Sequence, residues 1–546
     1  MKPTNLDTAG EFPTPKIWVE KAHEYINNTF GNSWKEDNIV WDCSCGTLNL
    51  TKDYNFKELY CSTLNQSDLT ESEGYCGNKF QYDFLNDGID SSENFNLLED
   101  KKIHPNLKKA ILEHKPIVIF INPPYATAGT MGATDNNKKS VGKTSVNKIM
   151  IQDGMGRASM NLYAQFLFRI LHTIPWAKIC IFCPPLFLSG SSFKNFRKKM
   201  FENISYDSGF LFKASSFSNV TKEWGVSFSI FNNNKSFNKD SFNFDIIEHD
   251  LEKNILINVC NKTVYNTDQL KSATNFVKIK SKNKIYAPIL TSATNVKTEE
   301  VKNTVKLDPN FLGYFDCKSN NIYYNDTRVA LYSSAFSDSC GSSITKENFY
   351  NVTTLFTARR AIMPNWINCK DEYLSPNESH EMWNFFKYNS LVYAIFNNMS
   401  LQSSLKDIIY KEKIWNIKNE FFWMSKNQIK IISEKHEIKN DLNYSNNKRE
   451  SFLYEELFGE KNIFNELCEE SKQLLHSASE MIDKTFKYRL EEEAYLNLEC
   501  WDAGYAQLRN LWKKHYPEDF KNFRKKYKEL EDKLKPLIHE VGFLKR

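Results

Sequence analysis

Five short apolar runs separated by helix-forming stretches constrain the fold of this chain more than any other feature. They are Asn38-Ile39-Val40-Trp41, Leu59-Tyr60-Cys61-Ser62, Ile117–Ile121, Ala177–Cys183 and Val226–Phe231. A strand with one wet face alternates apolar and polar residues, whereas a strand apolar throughout is covered on both faces. Helical spacing appears before the first run, in Ile17–Asn28, and between later ones, in Leu162–Leu171 and Ser192–Phe201. Such strands alternating with helices predict an α/β fold built on a parallel sheet over residues 1–235.

The remaining residues divide by pattern. Asn232–Lys239 is polar and reads as a linker. Residues 240–375 suggest short strands between Asn, Ser and Thr loops, as at Asn321-Ile322-Tyr323-Tyr324. From residue 378 the pattern becomes helical, most strongly in Glu455–Leu490 and Pro517–Leu544. The expected domains are therefore 1–235, a mixed α+β target-recognition domain at 240–450 and a helical region at 451–546. No apolar run approaches the roughly 18–20 residues that cross a bilayer, and Met1–Gly10 lacks a signal peptide's apolar stretch. A cytoplasmic protein without a membrane partner is the expectation.

Charge is balanced, with 71 Lys+Arg against 67 Asp+Glu, so any phosphate-binding surface must come from local clusters. The 12 cysteines are scattered. Cys43, Cys45, Cys180 and Cys183 have no second matching pair for zinc and are expected to be buried, reduced thiols. No metal site is expected.

The sharpest chemical signal is Asn122-Pro123-Pro124-Tyr125, directly after the apolar strand Ile117–Ile121. Ligands of doubly wound sheets collect at the carboxyl ends of strands. Two prolines fix φ and remove two amide donors, leaving carbonyls to accept from a ligand. With the Asn122 side chain as a further acceptor and Tyr125 as a flat face, the segment suits a planar molecule with an exocyclic amine.

This segment resembles motif IV of the amino-group methyltransferases that use S-adenosylmethionine, in the Asn-Pro-Pro-Tyr form of the adenine-N6 enzymes. Val40–Leu50 resembles motif I, matching at Asp42, Cys45, Gly46 and Asn49, with Leu48 where the family has a second glycine. Phe12-Pro13-Thr14-Pro15 resembles motif X, and its place before motif I is the order of the γ group. Asp83-Phe84-Leu85 resembles motif III. Asn161–Phe166, Cys183–Phe187 and Trp224–Phe228 fall at motifs V, VI and VIII. A γ-group DNA adenine-N6 methyltransferase is the family so identified.

The resemblance implies a Rossmann-like methyltransferase domain, S-adenosylmethionine as cofactor and double-stranded DNA as partner. The adenine is flipped out of the duplex and methylated at N6. Catalysis falls to Asn122, Pro123, Pro124 and Tyr125. Thr14, Pro15, Asp42, Cys45, Gly46, Asp83, Phe84 and Asn122 would hold the cofactor, with Asp68 the choice for its ribose. Trp224 and Phe228 would hold the flipped base. A Leu at position 48 would crowd the close approach that glycine permits.

Three basic clusters are further DNA candidates. Ala126–Met160 lacks regular periodicity, carries five glycines and offers Lys138, Lys139, Lys143 and Lys148 as a mobile, phosphate-binding segment. Lys194, Arg197, Lys198 and Lys199 share one helix, and Arg359-Arg360 lies near Asn365-Trp366. The alternatives are an RNA adenine methyltransferase, or a DNA-binding protein of this fold without turnover. The chain begins almost at motif X, so cleavage, if any, would belong to a separate restriction endonuclease.

Overall fold

A computed structural model describes residues 13–71, 77–90, 92–96, 99–126, 144–216, 224–233, 240–281, 283–297, 305–336, 341–438, 449–491 and 501–545. The chain forms two compact units, one of residues 1–269 and 365–371, the other of 270–364 and 372–546.

The first unit is built on a nine-stranded sheet of order β3-β2-β1-β4-β5-β7-β6-β8-β9. Its strands are β1 (Ile39–Asp42), β2 (Leu59–Thr63), β3 (Asn78–Gln81), β4 (Ile117–Ile121), β5 (Lys178–Cys183), β6 (Ser205–Lys213), β7 (Gly225–Asn232), β8 (Ser241–Asp250) and β9 (Ile255–Tyr265). β1 to β5 run parallel, with Val40 opposite Leu59 and Ile121 opposite Ile181. β7 is antiparallel to both β5 and β6. Every residue of β1, β2 and β4 is buried, as strands apolar on both faces require. This is the α/β fold expected of the first residues.

Helices supply the cover. α1 (Lys16–Phe30) buries Trp18, Val19, Ala22, His23 and Ile26, the i, i+3, i+4 spacing of one face. Trp18 stacks on Phe212 of β6 at 4.1 Å. α2 (Pro105–Leu112), α3 (Ser145–Gln152), α4 (Leu162–Thr173) and α5 (Lys194–Met200) complete the cover used below.

Two expectations are corrected here. The first unit continues past residue 235, because β8 pairs in parallel with β6 and β9 extends the sheet again. Alternating buried positions Phe242, Phe244 and Ile246 make β8 part of that core. Within Ala126–Met160, Ser145–Gln152 is a helix, capped by the Thr144 hydroxyl accepting from the Asn147 N–H. Val146, Ile149 and Met150 form its buried stripe.

The second unit has no boundary at residue 450. α6 (Phe349–Arg360), α7 (Trp383–Ile395), α8 (Glu469–Thr485), α9 (Tyr505–His515) and α10 (Pro517–Leu534) contribute to a single core. In α10 the buried residues Phe523, Tyr527, Leu530 and Leu534 recur at helical spacing. A four-stranded sheet holds β10 (Gly313–Cys317), β11 (Val329–Tyr332), β12 (Ser342–Ile344) and β13 (Ser400–Leu401) in the order β12-β10-β11-β13. Ile322–Tyr324, expected as a strand, is a 3-10 turn. A two-stranded ribbon of β14 (Leu405–Tyr410) and β15 (Lys413–Ile417) lies where helix was expected. Among the described residues no helix is long and apolar enough to cross a membrane.

Candidate active site

The carboxyl end of β4 brings together three of the singled-out side chains. Asn122 donates from Nδ2 to the Thr14 hydroxyl at 2.8 Å, and Tyr125 donates its hydroxyl to Asn122 Oδ1 at 2.6 Å. Thr14 thereby fixes which end of the amide carries the acceptor. Thr14 and Asn122 are 108 residues apart in sequence, so the tetrapeptide and the segment before α1 form one site. Pro15 opens α1, its carbonyl accepting from the Trp18 N–H at 3.0 Å. Pro123 is buried and Pro124 half-buried. Tyr125 is 8% exposed and meets Trp224 edge to face at 5.9 Å. Burial holds the Tyr125 phenol well above its usual range, so it acts as a neutral donor.

The loop after β1 lies beside β4 in the sheet. Asp42 is 1% exposed, and its Oδ1 accepts from the Ser44 N–H at 3.1 Å. Its Oδ2 is buried without a hydrogen-bond partner among the described residues. Desolvation pushes this carboxyl up to about 7, against a smaller lowering from the Ser44 N–H. Cys45 is buried, and its N–H donates to the Ser62 carbonyl of β2 at 3.0 Å. Gly46 has φ +47°, and a Cβ built there meets nothing within 4 Å. The loop thus sets a buried, unsatisfied carboxylate oxygen near a glycine that has open space beside it.

Leu48 resolves the missing glycine. Its φ is +65°, the left-handed region, while its side chain is 0% exposed within the core. The backbone takes the shape a glycine would give, and the side chain is accommodated by the core. Left-handed backbone costs an L-residue about 1–2 kcal/mol, whereas a buried Leu side chain is worth about 2–5 kcal/mol. Leu48→Gly is therefore expected to lower unfolding free energy by about 2–4 kcal/mol in urea denaturation, despite relieving the strain.

Other expected residues fall in three groups. Asp68, in the short helix Gln66–Glu71 that follows β2, accepts from the Thr63 hydroxyl at 2.8 Å. Asp83 accepts from the Leu85 N–H at 3.1 Å and from Asn86 Nδ2 at 2.8 Å. Phe84 is 3% exposed, stacked on Phe166 at 5.1 Å with the Arg169 guanidinium 4.8 Å from its centroid. A ligand reaching that ring must displace one of them. Lys138, Lys139 and Lys143 lie outside the described residues.

Three expected nucleic-acid contacts are corrected to core positions. Phe228 is 0% exposed, packed against Phe182 at 4.8 Å and Phe210 at 5.3 Å in the middle of the sheet. Arg197 is 1% exposed, paired in a fork with Asp268 and donating to the Phe187 and Gly190 carbonyls. Arg359 is 1% exposed. It donates to Asn325 Oδ1 at 3.0 Å and to the Ser319 and Asn321 carbonyls at 2.7 and 2.9 Å. Arg360 is half-buried and donates to the Asn325 carbonyl. Basic side chains at buried positions are retained by internal acceptors, and a sequence does not display those acceptors. Arg359→Met should cost about 3 kcal/mol or more of unfolding free energy in urea, by leaving several buried acceptors bare.

Two further aromatic residues belong to the first unit's core. Tyr163 of α4 is 1% exposed, with a buried hydroxyl lacking a partner among the described residues. Burial holds its phenol, like that of Tyr125, well above the usual range. Its signal was a Tyr at motif V beside the Cys183-Pro184-Pro185 turn. Trp366, 7% exposed, packs in the first unit's core. Its carbonyl lies 3.0 Å from where a Cβ on Gly225 would stand, next to Trp224. The sequence marks Trp366 beside Arg359-Arg360, and the structure places it as a core tryptophan of the first unit.

No family model and no curated protein matches the chain. Solved structures resemble it over part of its length. The DrdV–DNA complex matches at 14% identity and TM-score 0.37, over 59% of this chain and 36% of that one. The methyltransferase subunit of a type I restriction-modification system from Streptococcus thermophilus matches at 15% identity and TM-score 0.29, over 44% of this chain and 48% of that one. The type IIG restriction endonuclease BpuSI matches at 16% identity and TM-score 0.29, over 43% of this chain and 27% of that one. The matched region thus spans about half or less of each of these proteins.

Proposed function

We propose that the chain is a site-specific DNA methyltransferase that transfers a methyl group from S-adenosylmethionine to adenine N6 of a flipped base in duplex DNA. The observation that carries this reading is the Asn122 amide at the end of β4, oriented by Thr14 with its oxygen turned to the Tyr125 hydroxyl. It stands beside a loop whose buried Asp42 oxygen lacks a donor. S-adenosylmethionine, when bound, supplies an electrophilic methyl on a sulfonium. Asp42 and the backbone around Gly46 would hold its cationic portion, with Asp68 and Asp83 as acceptors for its hydroxyls and amine.

The chain's own residues then do the positioning. In the free protein Tyr125 satisfies Asn122 Oδ1, so a buried acceptor is not left bare. A target amine takes over that acceptor when the Tyr125 hydroxyl yields it, and the Pro123 carbonyl accepts the second amine hydrogen. Two acceptors on one amine favour a pyramidal nitrogen with an available lone pair. Tyr125 supplies a stacking face and Trp224 steadies its edge. Catalysis is orientation and preorganised hydrogen bonding, and the proton becomes acidic only after the nitrogen is alkylated. Taking the base out of the duplex costs a few kcal/mol, offset by stacking and phosphate contacts.

The test is mass spectrometry of nucleosides after incubating the protein and S-adenosylmethionine with duplex DNA and, separately, RNA. N6-methyladenine in DNA supports the proposal. N4-methylcytosine, methylation of RNA alone, or no transfer despite cofactor binding would each replace it.

A further inference from the structure

The ribbon β14–β15 is anchored by one face and bare on the other. Leu405 and Ile417 at its base are buried, and Ile408, Tyr410 and Trp415 pack on the same small apolar cluster. On the opposite face Ile409 and Ile414 stand directly across from each other and are 76% and 71% exposed. The connecting residues Lys411 and Glu412 both have positive φ, the backbone of the tight hairpin turn, without its usual Asn-Gly. A register shift between Leu405 and Ile408 adds twist. Two exposed aliphatic side chains at the end of a ribbon contribute nothing to the core.

The surroundings are basic and aromatic. The exposed Tyr286 has Lys411 Nζ 3.8 Å and Lys306 Nζ 4.6 Å from its ring centroid. Lys413 follows the turn, and Lys284 precedes Tyr286 by two residues. From Gln269 to Thr298 the sequence has six lysines and no Asp or Glu. Asp407 is the other acid on the ribbon besides Glu412, and its N–H donates to the Asn416 side chain at 3.0 Å. Two-stranded ribbons read B-DNA from the minor groove as well as from the major. Apolar wedges flanked by cations enter between base steps in proteins that kink the duplex.

We infer that the β14–β15 ribbon is a duplex-DNA contact, with Ile409 and Ile414 pressed against the bases and Lys306, Lys411 and Lys413 on the flanking phosphates. The inference rests on the duplex-DNA reading above and names the element that would hold that partner. It also supplies a push on the helix that base flipping needs, since unstacking is the costly step.

The experiment uses the full chain and a fluorescent 40-base-pair duplex of mixed sequence. Anisotropy is read against salt, and end-to-end energy transfer reports bending. Ile409→Ser/Ile414→Ser should weaken binding about 10-fold or more and reduce the bend, with the salt slope unchanged. Lys306→Ala/Lys411→Ala/Lys413→Ala should lower the slope of log affinity against log salt by about 2–3, as expected at about 0.9 per phosphate contact. Thermal melting and S-adenosylmethionine binding check that both variants fold. Wild-type affinity, slope and bend in both variants would overturn the inference while the proposed function stands. So would a wild-type dimer that the isoleucine variant splits without loss of DNA binding, because the pair would then serve a second copy. A wild-type chain that binds no duplex at any salt would overturn the duplex-DNA reading itself, and this inference with it.

Discussion

Asn122→Ala is expected to lower methyl transfer to DNA by about 10²-fold or more, with S-adenosylmethionine binding within a few-fold of wild type. The size follows from removing one preorganised hydrogen-bond partner of the reacting group, which typically costs about 10²–10³ in turnover. Asn122 donates to Thr14 and accepts from Tyr125, so the alanine variant also leaves two hydroxyls to find other partners. A melting experiment separates that loss of stability from loss of chemistry. Single-turnover transfer with saturating cofactor and DNA is the deciding measurement. Near wild-type turnover in a folded Asn122→Ala protein would remove Asn122 from the mechanism. Tyr125→Phe is a useful companion, because it keeps the ring and the contact with Trp224 but frees Asn122 Oδ1. It should retain far more activity than Tyr125→Ala.

Asp42→Asn is expected to weaken S-adenosylmethionine binding about 10²-fold at pH 8 and to abolish its pH dependence. Losing one member of a buried, hydrogen-bonded charge pair costs about 2–5 kcal/mol. In the free protein burial pushes the Asp42 carboxyl up to about 7, so below that pH the group is mostly protonated. A cationic ligand needs it ionised. Affinity of the wild-type protein should therefore rise from pH 5.5 to pH 8, with a proton released on binding below about pH 7. The sign for folding is opposite. Between the ordinary carboxylate value near 4 and the folded value near 7, the folded state holds a proton that the unfolded chain has lost. Stability of the free protein thus falls as pH rises through that window and levels off above it, and Asp42→Asn removes this contribution. Calorimetric titrations across pH, with and without the substitution, read the ligand effect. A flat wild-type profile would mean that Asp42 does not meet a charged ligand.

The first unit was legible wherever a rule acts locally. Runs such as Ile117–Ile121 are buried on both faces and sit centrally in the sheet. The four cysteines expected to be buried thiols are buried. What escaped depends on contacts between distant segments. Arg359 and Phe228 carry residue types that suit nucleic-acid binding, but their acceptors and ring neighbours come from elsewhere in the chain. The β8–β9 hairpin follows a polar stretch that looked like a boundary, yet Phe242, Phe244 and Ile246 belong to the same core as β4. The β14–β15 ribbon was missed because Lys411-Glu412 is not a residue pair that tight turns favour.

The short segment 365–371, whose Trp366 completes the first unit's core, has a consequence for synthesis. All of residues 270–364 must leave the ribosome before it is available. At about 5–20 residues per second this is a wait of about 5–20 s, during which the nascent sheet lacks one of its own pieces. The unit cannot finish folding in the order in which it is translated. A fragment stopped at residue 269 would remain permanently in that intermediate state, exposing the strip near Gly225 that Trp366 covers. Co-expressing such a fragment with the rest of the chain is therefore a route to complementation, with the tryptophan as the element supplied in trans.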